Sequence, residues 1–458
     1  MQLNTVLLLS GGATQALQLL AALSLLILLH EFGHFFFARL FKTRVEKFYL
    51  FFDFLFPFPN LLNFALFKKK KGDTEYGLGW FPLGGYVKIA GMVDESMDKD
   101  AMKQPPQPWE YRSKKAYQRL FIMLGGIIMN VLTAMAIYAF IFGVWGEEYL
   151  PTENAKYGIA ADSVAESIGL RDGDMITSVS GKKVDRFNRI PYEIIFAEEK
   201  SIQVLRDGQP INVEIPSGTI TKIIKKQKQS FITPRMPVVV EKVSEKSEAE
   251  KMGFKAGDSI IAFNGQPVQF FDEFEDRKRS HAGQAVEITV VRNNEPVVLS
   301  GNIPDTKILG FQPHVTRFFE TKVIKYGIFE AIGKGFTFTF EQVGNYWSQL
   351  KLLFTSPEVK VNESLGGLVT FGKLFDPVFD WQSFLMLTAF VSIILAVMNL
   401  LPIPGLDGGY VIFLIFELIS GRKVSDKVME TATTVGLVLL LGLMLYANGL
   451  DIFRLFQN

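Results

Sequence analysis

The sequence predicts a polytopic α-helical membrane protein, with four transmembrane helices and a large extracytoplasmic α+β insert. Three observations predict it: four apolar segments of spanning length, an asymmetric spread of lysine and arginine around them, and a repeated glycine-punctuated pattern between the second and third. A spanning helix needs about 20 mostly apolar residues. The segments Ala16–Phe37, Leu120–Trp145, Phe384–Leu401 and Thr431–Leu450 meet that need. Hydrophobic residues make up 48% of the 458 positions, yet charged residues still reach 21%, a balance that fits neither a wholly soluble nor a wholly embedded chain.

Orientation follows from the loops, because Lys and Arg concentrate on the cytoplasmic side. Residues 1–15 hold none, whereas Arg39, Lys42, Arg44, Lys47, the run Lys68 to Lys71, Lys114, Lys115 and Arg119 follow the first span. Arg422, Lys423 and Lys427 lie between the third and fourth spans. Both termini and the stretch 146–383 are therefore expected outside the cytoplasm. The N-terminus lacks the basic start and small-residue cleavage site of a signal peptide, so the first span is expected to remain in place. A net charge of +1 gives no reason to expect nucleic acid, and the four-lysine run reads as a solvated loop beside membrane lipid. No cysteine is present, which excludes disulfides, thiolate metal sites and a cysteine nucleophile. Any metal must use His, Asp or Glu.

Within the insert, Ser163–Val184 (SVAESIGLRDGDMITSVSGKKV) aligns without gaps on Ser247–Val268 (SEAEKMGFKAGDSIIAFNGQPV), an offset of 84 positions, 247 − 163. The shared pattern A-E-x-x-G-x-x-x-G-D-x-I-x-x-x-x-G resembles the helix, turn and strand of bacterial PDZ domains, with glycine supplying positive φ at the turns. Two extracytoplasmic PDZ domains are expected at 151–235 and 236–316. They lie between a first membrane part, 1–150, and a second, 317–458, that opens with a linker helix. Such domains capture extended peptide tails at a sheet edge; a steric filter with empty grooves is the alternative.

The first span carries the pattern His30-Glu31-Phe32-Gly33-His34. Residues four apart on a helix share a face, about 6 Å from each other. H-E-x-x-H on a helix suits two imidazoles binding Zn²⁺, with the glutamate as general base. On a soluble helix such a pattern is often surface. Inside an apolar span an ionisable group costs a few kcal/mol and is a functional candidate by default. From Glu31 to Lys42 is 42 − 31 = 11 residues, which at 1.5 Å each puts the carboxylate about 16 Å below the basic edge, roughly half of a 30 Å hydrocarbon layer.

A catalytic zinc site usually has three protein ligands and a water. The remaining histidines, His281 and His314, lie in the insert. At the end of the third span, MNLLPIPGLDGGYVIF places Asp407 behind two prolines and ahead of two glycines. An aspartate on broken backbone at membrane depth makes sense if it reaches inward to a cation.

With these motifs in hand, the chain resembles the site-2 protease family of intramembrane zinc metalloproteases, most nearly its bacterial regulator-of-sigma-E type. The resemblance implies zinc ligands at His30, His34 and Asp407, and the catalytic base at Glu31. It implies substrate contacts at Asn399, Pro402 and Pro404, the N-x-x-P-x-P element. GLGWFPLGGYVKIAG, Gly77–Gly91, resembles the family's membrane-associated β-element, giving Gly85, Tyr86, Val87 and Lys88 as substrate-binding; a plain interfacial hairpin is the alternative. Many relatives carry Gly-Pro-x-x-Asn in the second span, where this chain has Gly126-Ile127-Ile128-Met129-Asn130. A substrate or oxyanion role for Asn130 stands there beside an interhelical hydrogen bond. Tyr410 stands where relatives often have His or Arg. The Phe-rich stretch 51–67 reads as an interfacial loop or short helix. The expected function is cleavage of single-span membrane proteins, such as anti-sigma factors or remnant signal peptides, in the bacterial cytoplasmic (inner) membrane. A non-catalytic membrane PDZ scaffold is the rival from another class; a metal transporter would need polar residues along several spans.

Overall fold

The computed structural model describes residues 11–55, 61–82, 84–92, 105–196, 201–219, 222–223, 231–245, 247–355 and 366–457. The chain divides into two compact units, one built from Met1–Gly146, Lys325–Thr355 and Leu365–Asn458, the other chiefly from Glu147–Ile324. In the first unit lie the helices α1 (Gly11–Leu40), α2 (Ala116–Val144), α3 (Ile328–Thr355), α4 (Trp381–Leu400), α5 (Asp407–Ser420) and α6 (Asp426–Gln457). Among the described residues, four helices are long and apolar enough to cross a membrane, namely α1, α2, α4 and Lys427–Arg454 of α6. The first and fourth predicted spans lie within α1 and α6, and the second and third each run one residue past their helix. Residues 1–10, used above for orientation, lie outside the described residues.

Small residues let α1 and α2 meet backbone to backbone. A Cβ on Gly33 would strike the Gly125 carbonyl, and one on Gly125 would lie 2.7 Å from the Gly33 carbonyl carbon. Lipid gives apolar helices little reason to associate, so close van der Waals packing of this kind holds them together. The expected linker helix is α3. It lies along α2 through Gly335 on the Ala139 backbone and through the Tyr138 and Phe338 rings, whose centroids are 4.8 Å apart.

Between α1 and α2 the chain forms a four-stranded sheet of β1 (Val45–Leu50), β2 (Ala65–Lys71), β3 (Thr74–Gly79) and β4 (Tyr86–Ile89), in the order β2-β3-β1-β4. The β1 strand runs parallel to β3 and antiparallel to β4. Residues 77–91 are thus no simple hairpin, because β1 separates β3 from β4. Lys68 to Lys71 form the outer edge strand rather than a loop. All four lysines are exposed there, and charged side chains are a common means of keeping a sheet edge from pairing further. The Phe-rich stretch is likewise no helix where it is described: Phe52 and Phe54 are buried in a cluster with Tyr49 and Tyr86. Residues 56–60 of that stretch lie outside the described residues.

In the second unit the repeat becomes a repeated fold. The strand Met175–Val179 corresponds to Ser259–Phe263, again 259 − 175 = 84 positions on. Each follows a short helix, Ser163–Ser167 and Glu248–Met252, capped by the side chains of Asp162 and Ser247 respectively. The glycines of the pattern, Gly169, Gly173 and Gly181 with Gly253, Gly257 and Gly265, all have positive φ. The repeated aspartate explains itself: Asp174 and Asp258 are fully buried and accept from the backbone N–H of Arg171 and Lys255, both at 2.8 Å. Each is also gripped by both ends of an arginine fork, Arg206 in one module and Arg292 in the other, which in turn donates to the Gly169 or Gly253 carbonyl. Truncating one partner of a buried pair leaves the other charge unpaired and costs about 3–5 kcal/mol. Because Arg292 keeps some water contact, Asp258→Ala should destabilise its module by about 3 kcal/mol, read as a lower urea midpoint for proteolysis within 236–316, with the site in the first unit unaltered.

Candidate metal centre

His30 and His34 lie on one face of α1, as their spacing requires. Their Nε2 atoms are 3.2 Å apart, and Asp407 Oδ2 lies 3.4 Å from each. These side chains are the group of three or more among the described residues that could hold a metal ion. The donor set fits zinc. Bonds of about 2.0–2.1 Å directed to the corners of a tetrahedron leave neighbouring donors about 3.3–3.4 Å apart. Asp407 Oδ2 is moreover buried with no hydrogen-bond partner, a costly state for a carboxylate oxygen unless a cation meets it.

Each donor is aimed by its surroundings. The Nδ1–H of His34 donates to the Ile122 carbonyl on α2 at 2.8 Å, leaving the Nε2 lone pair turned towards the other two donors. Beneath the rings sits Gly126, where a Cβ would lie 2.6 Å from both His30 Nδ1 and His34 Nε2. Asp407 opens α5 after the break at Pro402 and Pro404, so its carboxylate sits at a helix N-terminus, where negative charge is favoured. The break is shaped by glycine. Gly405 has φ +96°, and a Cβ on Gly409 would press on the Ile403 carbonyl and the Pro404 Cα, both at 2.7 Å. Gly436 of α6 packs directly on the Pro404 carbonyl. An ion pair of Arg119 on α2 with Glu417 on α5 ties the two helices that flank the centre.

A cavity of about 180 Å³ opens onto these groups, and its walls include Glu31, Asn399, Gly85, Tyr86 and Val87. Among the described residues, the β4 strand stands last in the sheet order, on the side of the sheet away from β3. Tyr86 is held from behind by stacking on Tyr49 at 5.4 Å and by donating to Asp53 Oδ1 at 2.8 Å. Gly85 is needed because a Cβ there would meet Tyr49 O at 2.8 Å and Ile27 at 2.9 Å.

Three predicted substrate-binding residues lie off that cavity wall, as does Asn130. Lys88 turns to Glu46, 3.5 Å away, and borders a separate polar cavity. Pro402 is exposed and Pro404 packs on α6, so both shape the break rather than line the cavity. Asn130 is fully buried, with its amide against His30 on the neighbouring helix, the interhelical contact named as the alternative to a substrate role. Phe54, Met123 and Thr433 also line the cavity and carry no mark in the sequence, because they come from a loop and two helices with no shared motif. Tyr410 also lines the cavity, its hydroxyl receiving a hydrogen bond from Thr433 at 3.2 Å. Gly126 could have been found from its Gly-Gly pair within an apolar span, a common mark of close helix packing.

The glycine under the rings supplies a direct test of the geometry. Gly126→Ala should push the imidazoles apart and lower metal content by at least tenfold, because zinc sites tolerate only about 0.2 Å of ligand displacement. Gly12→Ala, on the same α1 helix as His30 but with nothing within 4 Å of its Cβ, should leave metal content unchanged by elemental analysis.

Residues 18–443 match the family described as Peptidase family M50. The chain is 30% identical to Protease RseP of Yersinia pestis, over 93% of this chain and 96% of that protein. It is 29% identical to the Regulator of sigma-E protease RseP of Escherichia coli strain K12, with the same coverage. It is 27% identical to the Regulator of sigma E protease of Haemophilus influenzae, over 95% of this chain and 97% of that one. With the match covering most of its length and its long apolar helices in place, the chain belongs to peptidase family M50, the zinc-dependent site-2 proteases, and is an intramembrane metalloprotease.

Proposed function

We propose that this protein hydrolyses a peptide bond of single-span membrane proteins within the cytoplasmic half of the bacterial inner membrane. Zinc would be held by His30, His34 and Asp407. The observation that carries the reading is the triangle of donors, 3.2 to 3.4 Å on a side, opening onto the same cavity as Glu31 and the β4 residues Tyr86 and Val87. Bound zinc supplies Lewis acidity, polarising the scissile carbonyl and acidifying a water. Glu31 acts as general base, taking the proton from the attacking water and returning it to the leaving amine.

A helical substrate hides its peptide groups, so cleavage requires an extended segment whose backbone finds new partners. The edge of β4, at Gly85, Tyr86 and Val87, offers them by strand addition. Asn399, across the cavity at the end of α4, can hydrogen-bond the same segment. Its amide supplies both a donor and an acceptor to the unwound backbone. The two repeated modules act as PDZ domains on the extracytoplasmic side, reading freshly cut tails or holding back bulky ectodomains. Since relatives bear the name regulator of sigma-E protease, anti-sigma factors trimmed outside the membrane are the first substrates to try, with remnant signal peptides second.

Glu31→Gln separates this mechanism from a scaffold that merely keeps the metal. The variant should retain the parent's zinc and lose at least about a hundredfold in cleavage of a tagged single-span reporter, the usual scale of a general base. Asp407→Ala should lose both. Cleavage by Glu31→Gln at the parental rate would refute the assignment.

A further inference from the structure

We propose that Asn130 is a positioning residue for the metal centre, its amide oxygen accepting a hydrogen bond from the Nδ1–H of His30. The inference rests on the zinc site proposed above and deepens it. Asn130 lies on α2, 100 positions from His30, and is fully buried. Its Nδ2 is 3.2 Å from His30 Nδ1, while its Oδ1 is buried without a partner.

The tautomer decides between the two ends of the amide. A nitrogen donor facing Nδ1 would need the lone pair of that atom, which puts the imidazole proton on Nε2. Nε2 of His30 is the atom that faces His34 and Asp407, 3.2 and 3.4 Å away. A proton there excludes a metal. Ligation through Nε2 puts the proton on Nδ1, where it needs an acceptor. A half-turn of the Asn130 amide brings Oδ1 to that place, and no hydrogen bond to the oxygen resists the turn.

The backbone under Asn130 is fixed from a third helix. Ser392 of α4, itself fully buried, donates its hydroxyl to the Asn130 carbonyl at 2.8 Å. The two imidazoles are thus oriented by different means. His34 leans on a backbone carbonyl, which substitution cannot remove, whereas His30 leans on a side chain, which it can. The competing acceptor is the backbone carbonyl of Gly126, the residue beneath the ring. If that carbonyl alone fixed the ring, the amide would be dispensable. Partners that orient a histidine ligand are worth about 10 to 100-fold in metal affinity.

The test is the zinc affinity of the full-length protein purified in detergent, measured by competition with a chromophoric chelator, with zinc content read in parallel. Asn130→Leu, close in size and without an acceptor, should bind zinc about 10 to 100-fold more weakly than the parent. Asn130→Asp keeps an acceptor and should hold zinc in the parental range or tighter. Parental affinity in Asn130→Leu would overturn the inference. So would a tenfold loss in Asn130→Asp, since that variant keeps the acceptor on which the inference rests. Asn130→Asp therefore decides the matter even where Asn130→Leu does not accumulate in folded form. A parent protein without stoichiometric zinc would overturn the three-ligand centre itself, a distinct failure.

Discussion

The backbone contact between Gly33 and Gly125 is the constraint on which the centre depends. Two helices bearing ordinary side chains pack with axes about 8–10 Å apart, and imidazoles on one would then meet side chains of the other. Here a Cβ on either glycine would collide with its neighbour's carbonyl group, so α1 and α2 touch directly. That approach brings the Ile122 carbonyl within 2.8 Å of His34 and the Asn130 amide within 3.2 Å of His30. The second span thus acts as the mould in which the first span's histidines are set. Gly33 serves this role from inside the H-E-x-x-H pattern, at a position that metal chemistry leaves free.

The third donor obeys a different rule. A carboxylate deep in an apolar layer is expensive, and an unbroken helix would leave Asp407 with little choice of direction. Breaking the helix at Pro402 and Pro404 frees the chain to turn, and a broken backbone at that depth must then find its own hydrogen bonds or packing. It does so against Gly408, Gly409 and Gly436, whose missing side chains let the loop lie on α5 and α6. A helix N-terminus and two imidazoles then surround the carboxylate with groups suited to negative charge or to a cation. Close glycine packing thus covers the broken backbone on the protein's own side.

Much of this was legible in sequence, for identifiable reasons. His30, Glu31 and His34 stand out because an apolar span gives them no solvent to satisfy, and Asp407 because prolines and glycines flank it where a helix should run on. The insert was legible through repetition, which turned two weak patterns into one strong one; the buried Asp174 and Asp258 supply the physical reason. The sheet was harder. Four residues of β4 show no period, and β3 reaches β1 in parallel register only because β2 intervenes, a pairing that no local pattern encodes. Lys68 to Lys71 mislead because charge predicts exposure, which is met, but not backbone state. Asn130 was visible as a polar residue in a span, but what it faces depends on the α1–α2 contact and not on its neighbours in sequence.

The convergence of two imidazoles and one carboxylate on a single ion is tested most directly by zinc-edge X-ray absorption on the purified, detergent-solubilised protein. The account predicts a four-coordinate shell, with two imidazole nitrogens at about 2.0–2.1 Å, including their outer-ring scattering, and oxygen at about 2.0–2.2 Å. A six-coordinate shell of oxygen alone, without imidazole scattering, would contradict it.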